Sequence, residues 1–382
     1  MRVENSSHLI ALRERRLRPN PPVDPDPTPS NPDTSAMVDG TEYGTVQEAL
    51  DAAEAGKSVT VKLFKDTETP VTVKKGTKIT LDLNDTLMTG TTDAAITVED
   101  GAELIIKGTG IIDAGKAPKK AAIVNNGTMS ILGGTITRSE ETGTASNVSG
   151  KNSFYTILNK GTINEIGKDA VITNTSGFSS LINNIGTAKK PARIEKITGG
   201  RFTNNFVVLK LDDYSSIGEI SGGTFINNQA DFNKGPSATM LVYGPIDKIS
   251  GGTFECKAET PVKVLGYYDT SAKVCQTGVI KEITGGTFTT GLMETCGSLS
   301  AGIHLASVND ADKFTELPTV KSITGGTFVG NVFTENNGVI EGIAGGSFTL
   351  RDAESEKAME GFLKDGYKLS GGSDNKWSVA LG

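Results

Sequence analysis

Tryptophan occurs once, histidine twice and cysteine three times in 382 residues. Cys256, Cys275 and Cys296 are odd in number and lack zinc-site spacing, so reduced thiols are expected rather than a disulfide or a metal knot. No apolar run approaches the ~18 residues of a membrane span. The only apolar run near the start, "LIAL" at Leu9 to Leu12, meets arginines at once, so no export signal is expected. On that reading the chain stays in the host cytoplasm where it is made until the cell opens. Positive charge is scarce as well: the net charge is −7, and the only basic concentration is Arg2, Arg13, Arg15, Arg16 and Arg18 against Glu4 and Glu14. The rest is acidic, which argues against gripping nucleic acid.

Glycine, by contrast, is plentiful at 46, the profile of a turn-rich β protein. "ITGGTF" occurs twice, from Ile283 and from Ile323, with "ITGGRF" from Ile197, "ISGGTF" from Ile220 and Ile249, and "IAGGSF" from Ile343. The full unit reads I-x-x-I-[ST]-G-G-x-F and starts at Ile194, Ile217, Ile246, Ile280, Val320 and Ile340, with spacings of 23, 29, 34, 40 and 20. Worn copies begin at Ile163 and around Gly133. A repeat of this length with elastic inserts marks a solenoid, in which each unit buries its apolar face only against its neighbours.

Strand geometry sharpens the inference. Side chains alternate between faces, so Ile197 and Phe202, five apart, reach one core only if the chain turns between them. Gly199 and Gly200 permit that turn. The same parity break between Ile194 and Ile197 predicts a second corner. Stacked coils then align Ile on Ile and Phe on Phe. Coils of roughly 20–25 residues over Lys57 to Leu350 predict about 12 rungs and a rod near 55–60 Å, at ~4.8 Å per rung. A nucleotide-binding reading of the Gly-Gly pairs fails, since none is followed by Lys-[Ser/Thr].

The fold class expected is all-β: a right-handed parallel β-helix solenoid with an N-terminal capping helix and a C-terminal helix-hairpin cap. Residues 1–18 read as a basic N-terminal segment and 19–36 as a proline-rich linker, with seven of the 14 prolines between Pro19 and Thr34. Residues 37–58 hold the capping helix, 59–351 the β-helix and 352–382 the C-terminal cap. The helix is marked by Thr45 and Glu48 at capping-box spacing, by Val46, Ala49, Leu50 and Ala53 on one face, and by Gly56 at its end.

"YGTVQEALDAAEAGKSVTVKL" followed by "ITLDLND", the repeats, and "GYKLSGGSDNKWSV" together resemble the pectate-lyase-like right-handed β-helix superfamily, most of all its phage fibre and head-decoration members. The resemblance covers about residues 40–382. It implies fold far more than function, because this architecture serves lyases, hydrolases, adhesins and spacers alike.

Enzymes of that superfamily work with clustered carboxylates, joined in some by Arg, Lys or His. Here His8 lies in the basic segment and His304 in an insert, and no polygalacturonase motif is found. Asp212-Asp213, the only adjacent acidic pair between Ile163 and Leu350, reads as a turn. No catalytic residue, cofactor or metal is therefore expected. The inserts Ser139–Phe154, Asn205–Ser216, Gln229–Pro245, Lys257–Val279 and Thr290–Thr319 read as loops. They carry or adjoin five of the seven tyrosines: Tyr155, Tyr214, Tyr243, Tyr267 and Tyr268. Exposed rings stack on sugars and anchor interfaces, so Tyr214, Tyr243, Tyr267 and Tyr268 are candidate glycan contacts.

A short mixed segment, a stiff tether and a capped rod are the parts of something displayed at a distance from a surface. The expectation is a structural virion protein, a head fibre or capsid decoration protein of a tailed phage, localised to the capsid surface. Leu9, Ile10, Leu12, Arg13, Arg15, Arg16 and Leu17 would dock on the capsid protein. A homo-oligomer, trimer or dimer, and a host surface glycan are the further partners, with no nucleic acid and no membrane. The rival readings are a bacterial cell-surface adhesin and a tailspike-like polysaccharide depolymerase.

Overall fold

The structure is a computed structural model that describes residues 28–115, 120–139, 155–174, 179–229, 238–291, 301–307 and 311–382. Most of the strands fall in three long, mostly parallel sheets of 13, 12 and 11 strands. The chain visits them in rotation. Lys78–Asp82 lies in the first sheet, Thr86–Thr89 in the second and Ile96–Val98 in the third. Glu103–Lys107 then returns to the first, parallel to Lys78–Asp82. Eleven parallel strands stack this way in the first sheet, from Ser58–Leu63 to Val339–Ile340. At ~4.8 Å per step the described rod is ~50 Å long, a β-helix-like solenoid.

Like sits on like through the interior. Phe202, Phe225, Phe254, Phe288, Phe328 and Phe348 form one stack with ring centroids 4.4, 4.8, 5.0, 4.8 and 4.7 Å apart and planes within 9° of parallel. The strand spacing sets that distance, and each ring contact adds about 0.5–1.5 kcal/mol beyond simple burial. Towards the N-terminus the column continues as Ile172, Ile136, Ile112 and Met88. Two aliphatic columns line the first sheet. One runs Ile79, Leu104, Met129, Ile163, Ile194, Ile217, Ile246 and Ile280; the other runs Leu81, Ile106, Ile131, Ile166, Ile197, Ile220, Ile249 and Ile283.

The second parity break is not a corner. Ile194 and Ile197 sit in one strand, Ala192–Ile197, and both point inward because the strand is bulged between them. The bulge starts where Met129 and Ser130 pair with Ile163 and Glu165, leaving Asn164 as the extra residue. Before that step the inward residues are two apart, as in Leu104 and Ile106. After it they are three apart in every coil.

The Gly-Gly corner is real, and its two glycines do different things. The second of each pair, at 200, 223, 252, 286, 326 and 346, has φ between +94° and +103°, a left-handed conformation that glycine adopts without strain. The first is needed for close approach: a Cβ on Gly251 would lie 2.3 Å from the Ser221 carbonyl oxygen of the preceding coil.

Two buried polar columns run beside the apolar ones. Asn125 Nδ2 donates to Asn159 Oδ1 and Asn159 Nδ2 to Asn184 Oδ1, both at 2.6 Å, at the corner between the third and first sheets. Asn204 Nδ2 donates to the carbonyls of Ser179 and Val207 across the corner between the second and third. These amides add hydrogen bonds to backbone carbonyls at the corners, where the ladders are interrupted.

Four of the five inserts read as loops hold the third wall of their coils: Leu209–Leu211, Met240–Val242, Val262–Asp269 and Ala301–Ser307 are all strands of the third sheet. Most of the fifth insert, like Cys296, lies outside the described residues.

At the start, Ala36–Val38 pairs antiparallel with Ser58–Leu63. Glu42 accepts from Ser30 N, Asn31 N and the Thr34 hydroxyl, fastening the end of the proline-rich stretch. The helix Val46–Asp51 has its capping box formed by Thr45 and Glu48, and buries Val46, Ala49 and Leu50 in the core. It ends sooner than the spacing predicts, and Gly56, at φ +79°, turns instead onto the Gly76 carbonyl. At the other end the helix Ala353–Glu360, with Asp352 as its N-cap, precedes a hairpin, Tyr367–Gly371 with Lys376–Leu381. That hairpin pairs antiparallel with Ser347–Thr349, and Trp377 falls opposite Phe348.

Candidate functional site

Among the described residues, the most elaborate surface feature grows from the corner between the third and first sheets. Most coils turn this corner within a few residues. Val262–Asp269 instead runs past it and folds back on Val274–Thr277 as an antiparallel hairpin. Tyr267 and Gln276 are directly opposed across that hairpin and so share a face. Tyr267 Oη donates to Asp213 Oδ1, and Gln276 Oε1 accepts from the Tyr214 backbone N–H at 3.2 Å. Both bonds reach back two coils and pin the hairpin over Tyr243, whose ring meets Tyr267 edge-on at 5.4 Å and 84°. Tyr268 and Cys275 share the other face, where the Lys313 ammonium sits 4.5 Å from the Tyr268 ring.

Beneath the hairpin lies a cleft of about 410 Å³, walled by Tyr214, Tyr243, Pro191 and Pro245, with Ser216, Gln276, Thr315 and Glu316 at its polar margin. Burial pushes the Tyr243 phenol up to about 12, with Asp212 adding to it, and raises Tyr267 further with help from Asp213. Both stay neutral hydrogen-bond donors through the physiological range. Burial also raises the Asp213 carboxyl, against the opposing hydrogen bond from Tyr267. Tyr214 has φ +49°, a left-handed conformation that costs a bulky residue about 1–3 kcal/mol.

Of the tyrosines singled out in the sequence, three thus meet at one site. Tyr214 and Tyr243 line the cleft, Tyr267 fixes its roof, and Tyr268 faces away. All four are half-buried, not free on loop tips. Leu9, Ile10, Leu12, Arg13, Arg15, Arg16 and Leu17 lie outside the described residues.

A second group escaped the sequence reading because its members come from three separate stretches. On the outer face of the third sheet Lys263, His304 and Phe333 are in register. Lys263 Nζ is 2.7 Å from Glu259, with both side chains largely buried. His304 Nε2 lies 2.9 Å from Glu335 Oε1, at an angle outside hydrogen-bond geometry. Burial holds the imidazole below its usual pKa while Glu335 pulls the other way. No group of three or more His, Cys, Asp or Glu side chains is placed to hold a metal ion among the described residues. Cys256 and Cys275 are in no disulfide, and burial raises the Cys256 thiol to about 11. No described helix is long and apolar enough to cross a membrane.

The fold is that of a parallel β solenoid carrying one elaborated flank. No protein-family model matches the chain, and no curated protein or solved structure does.

Proposed function

We propose that the protein is a structural display rod: a head fibre or capsid decoration protein of a tailed phage, not an enzyme, held to the capsid by residues 1–18. In this reading the solenoid winds right-handed, as parallel crossovers almost always do. The helix Val46–Asp51 and the C-terminal helix and hairpin cover its two sheet edges, which would otherwise invite pairing. A trimer or dimer presents the tyrosine flank to glycans on the host surface.

The observation that carries the reading is polarity. The N-terminal strand lies on the first coil and the C-terminal hairpin on the last strand of the second sheet, at opposite ends of the stack. The first described residues therefore sit at one end of the stack, and successive coils lie progressively further from them. The test is a chain shortened at residue 27, which keeps the Glu42 clamp, mixed beside the full chain with phage particles lacking the protein. Only the full chain should cosediment; decoration by the shortened chain would refute the docking role.

A second reading, a tailspike-like depolymerase, is favoured by one observation, the Glu259, Lys263, His304 and Glu335 group assembled from separate coils. Release of reducing ends or unsaturated products from capsular polysaccharide, lost in Glu335→Gln, would replace the first reading with the second.

A further inference from the structure

Tyr214 takes a left-handed backbone conformation that three other coils give, at this corner, to glycine or asparagine. At the same corner Gly76 has φ +85°, Gly101 +80°, and Asn336 and Asn337 +45° and +66°. Glycine and asparagine tolerate that conformation, and a tyrosine there is strained. The ring is half-buried, lines the cleft and is absent from the core column. A strained side chain kept at the wall of a cleft is kept for what the cleft holds.

We propose that the cleft takes an uncharged pyranose ring, with Tyr214 as its stacking platform. The inference rests on the glycan-binding reading above and narrows it to one place and one chemical class. The cleft, at about 410 Å³, falls in the range of small-ligand sites. Tyrosine offers an apolar face for the sugar's C–H surface and a hydroxyl for its edge. Gln276 has its Oε1 engaged by the Tyr214 N–H, so its amide NH₂ is left to donate to a sugar hydroxyl, beside the hydroxyls of Ser216 and Thr315. Charge excludes the acidic sugars. Among the described residues Glu316, paired with Lys321 at 3.3 Å, is the one charged residue lining the cleft, and no lysine or arginine lines it. The nearest guanidinium, Arg193, donates to Ser216 Oγ and is held by Glu195 and Asp247. A uronate or sialate would meet a carboxylate and no free cation.

The test is calorimetric titration of the full chain with lactose, maltotriose, the N-acetylglucosamine trimer and a galacturonate trimer. At least one of the three neutral sugars should bind, and the galacturonate should not. Tyr214→Gly should weaken binding ~10-fold, the loss of one stacking platform, while its thermal midpoint stays unchanged or rises because strain is relieved. Tyr268→Ala, on the outer hairpin face, should bind as the parent does. Binding of none of the four sugars would overturn the glycan reading itself. Binding that Tyr214→Gly leaves intact would keep that reading and remove this cleft from it. Preference for galacturonate, or a midpoint several degrees lower in Tyr214→Gly, would overturn the charge or the strain argument, and the proposal with it.

Discussion

The coils before Ile163 and those after it build the same three-sided turn from different parts. The early coils use straight strands in the first sheet, inward residues two apart, and aliphatic side chains where the phenylalanines later stand. The later coils carry a bulge and inward residues three apart, and from the Ile194 coil onward each has Gly-Gly at the corner between the first and second sheets and adds a ring to the stack. One inserted residue, Asn164, separates them. In a parallel stack each strand is the template for the next, so a bulge, once introduced, persists: every later coil that matched it kept its ladder, and any that reverted would have broken it. The polar columns divide differently. The position of Asn125, Asn159 and Asn184 passes to Leu211, Val242 and Val264 two coils after the bulge begins. The corner amides and the bulge are thus separate inheritances.

The largest effect expected from probing this contrast is in the ring stack. Phe254→Ala should cost about 3–5 kcal/mol, the loss of a fully buried ring with neighbours on both sides. Ile136→Ala, in the same column among the early coils, should cost nearer 2–3 kcal/mol. Urea unfolding of both variants measures the difference, and equal costs would mean that the stack adds nothing beyond burial. Next come two deletions. Removing Gly218, which holds the bulge in a middle coil, creates two mismatched steps and should destabilise by about 3 kcal/mol. Removing Asn164 only moves the existing step one coil along and should cost about 1 kcal/mol. If the two deletions cost the same, the bulge is not passed from coil to coil.

A smaller effect belongs to the N-terminal junction. Hydrogen bonds from Thr34 first, then Ser30 and Asn31, lower the Glu42 carboxyl to about 2. A depressed carboxylate stabilises above its unfolded pKa, and the benefit fades as pH falls from about 4.5 towards 2. Protection from hydrogen exchange at residues 30–38, corrected for the intrinsic pH dependence, should fall over that window while protection in the Phe225 to Phe288 coils holds; Glu42→Gln should lower it at neutral pH.

The smallest effect is on the outer face of the first sheet, where Glu165, Lys196, Glu219, Lys248 and Glu282 alternate in sign from coil to coil. Lys196→Glu sets three like charges in a row and should cost about 0.5–1 kcal/mol, less in high salt. A cost unchanged by 1 M salt would rule out the electrostatic account.

The later half of this rod was legible because its constraints are local. A glycine with positive φ and a phenylalanine two residues on are written wherever the corner occurs, so the phenylalanine column and the isoleucine columns could be drawn from Ile194 to Phe348. The early coils were harder, since Leu104 and Ile106 look like any alternating strand. The third sheet was nearly silent: three-residue strands such as Leu209–Leu211 carry no motif, and their pairing partners lie a whole coil away. The asparagine column had a faint signature in "IVNNG", "ILNKG" and "INNIG" that only the register makes meaningful. Ile194 and Ile197 gave the right inward pair and the wrong cause, because a parity break in sequence is the same for a bulge as for a corner.

By itself, then, the sequence determined the repeat, the residues that stack and the glycine corner, because each depends on the backbone preference and side-chain size of a few adjacent residues. Only the tertiary structure decided which strands form the third wall, where the bulge begins, and that Tyr214 and Tyr243 wall one cleft beside the Tyr267–Asp213 bond. Those depend on which coil lies beside which, and inserts of unequal length erase that from the order of residues along the chain.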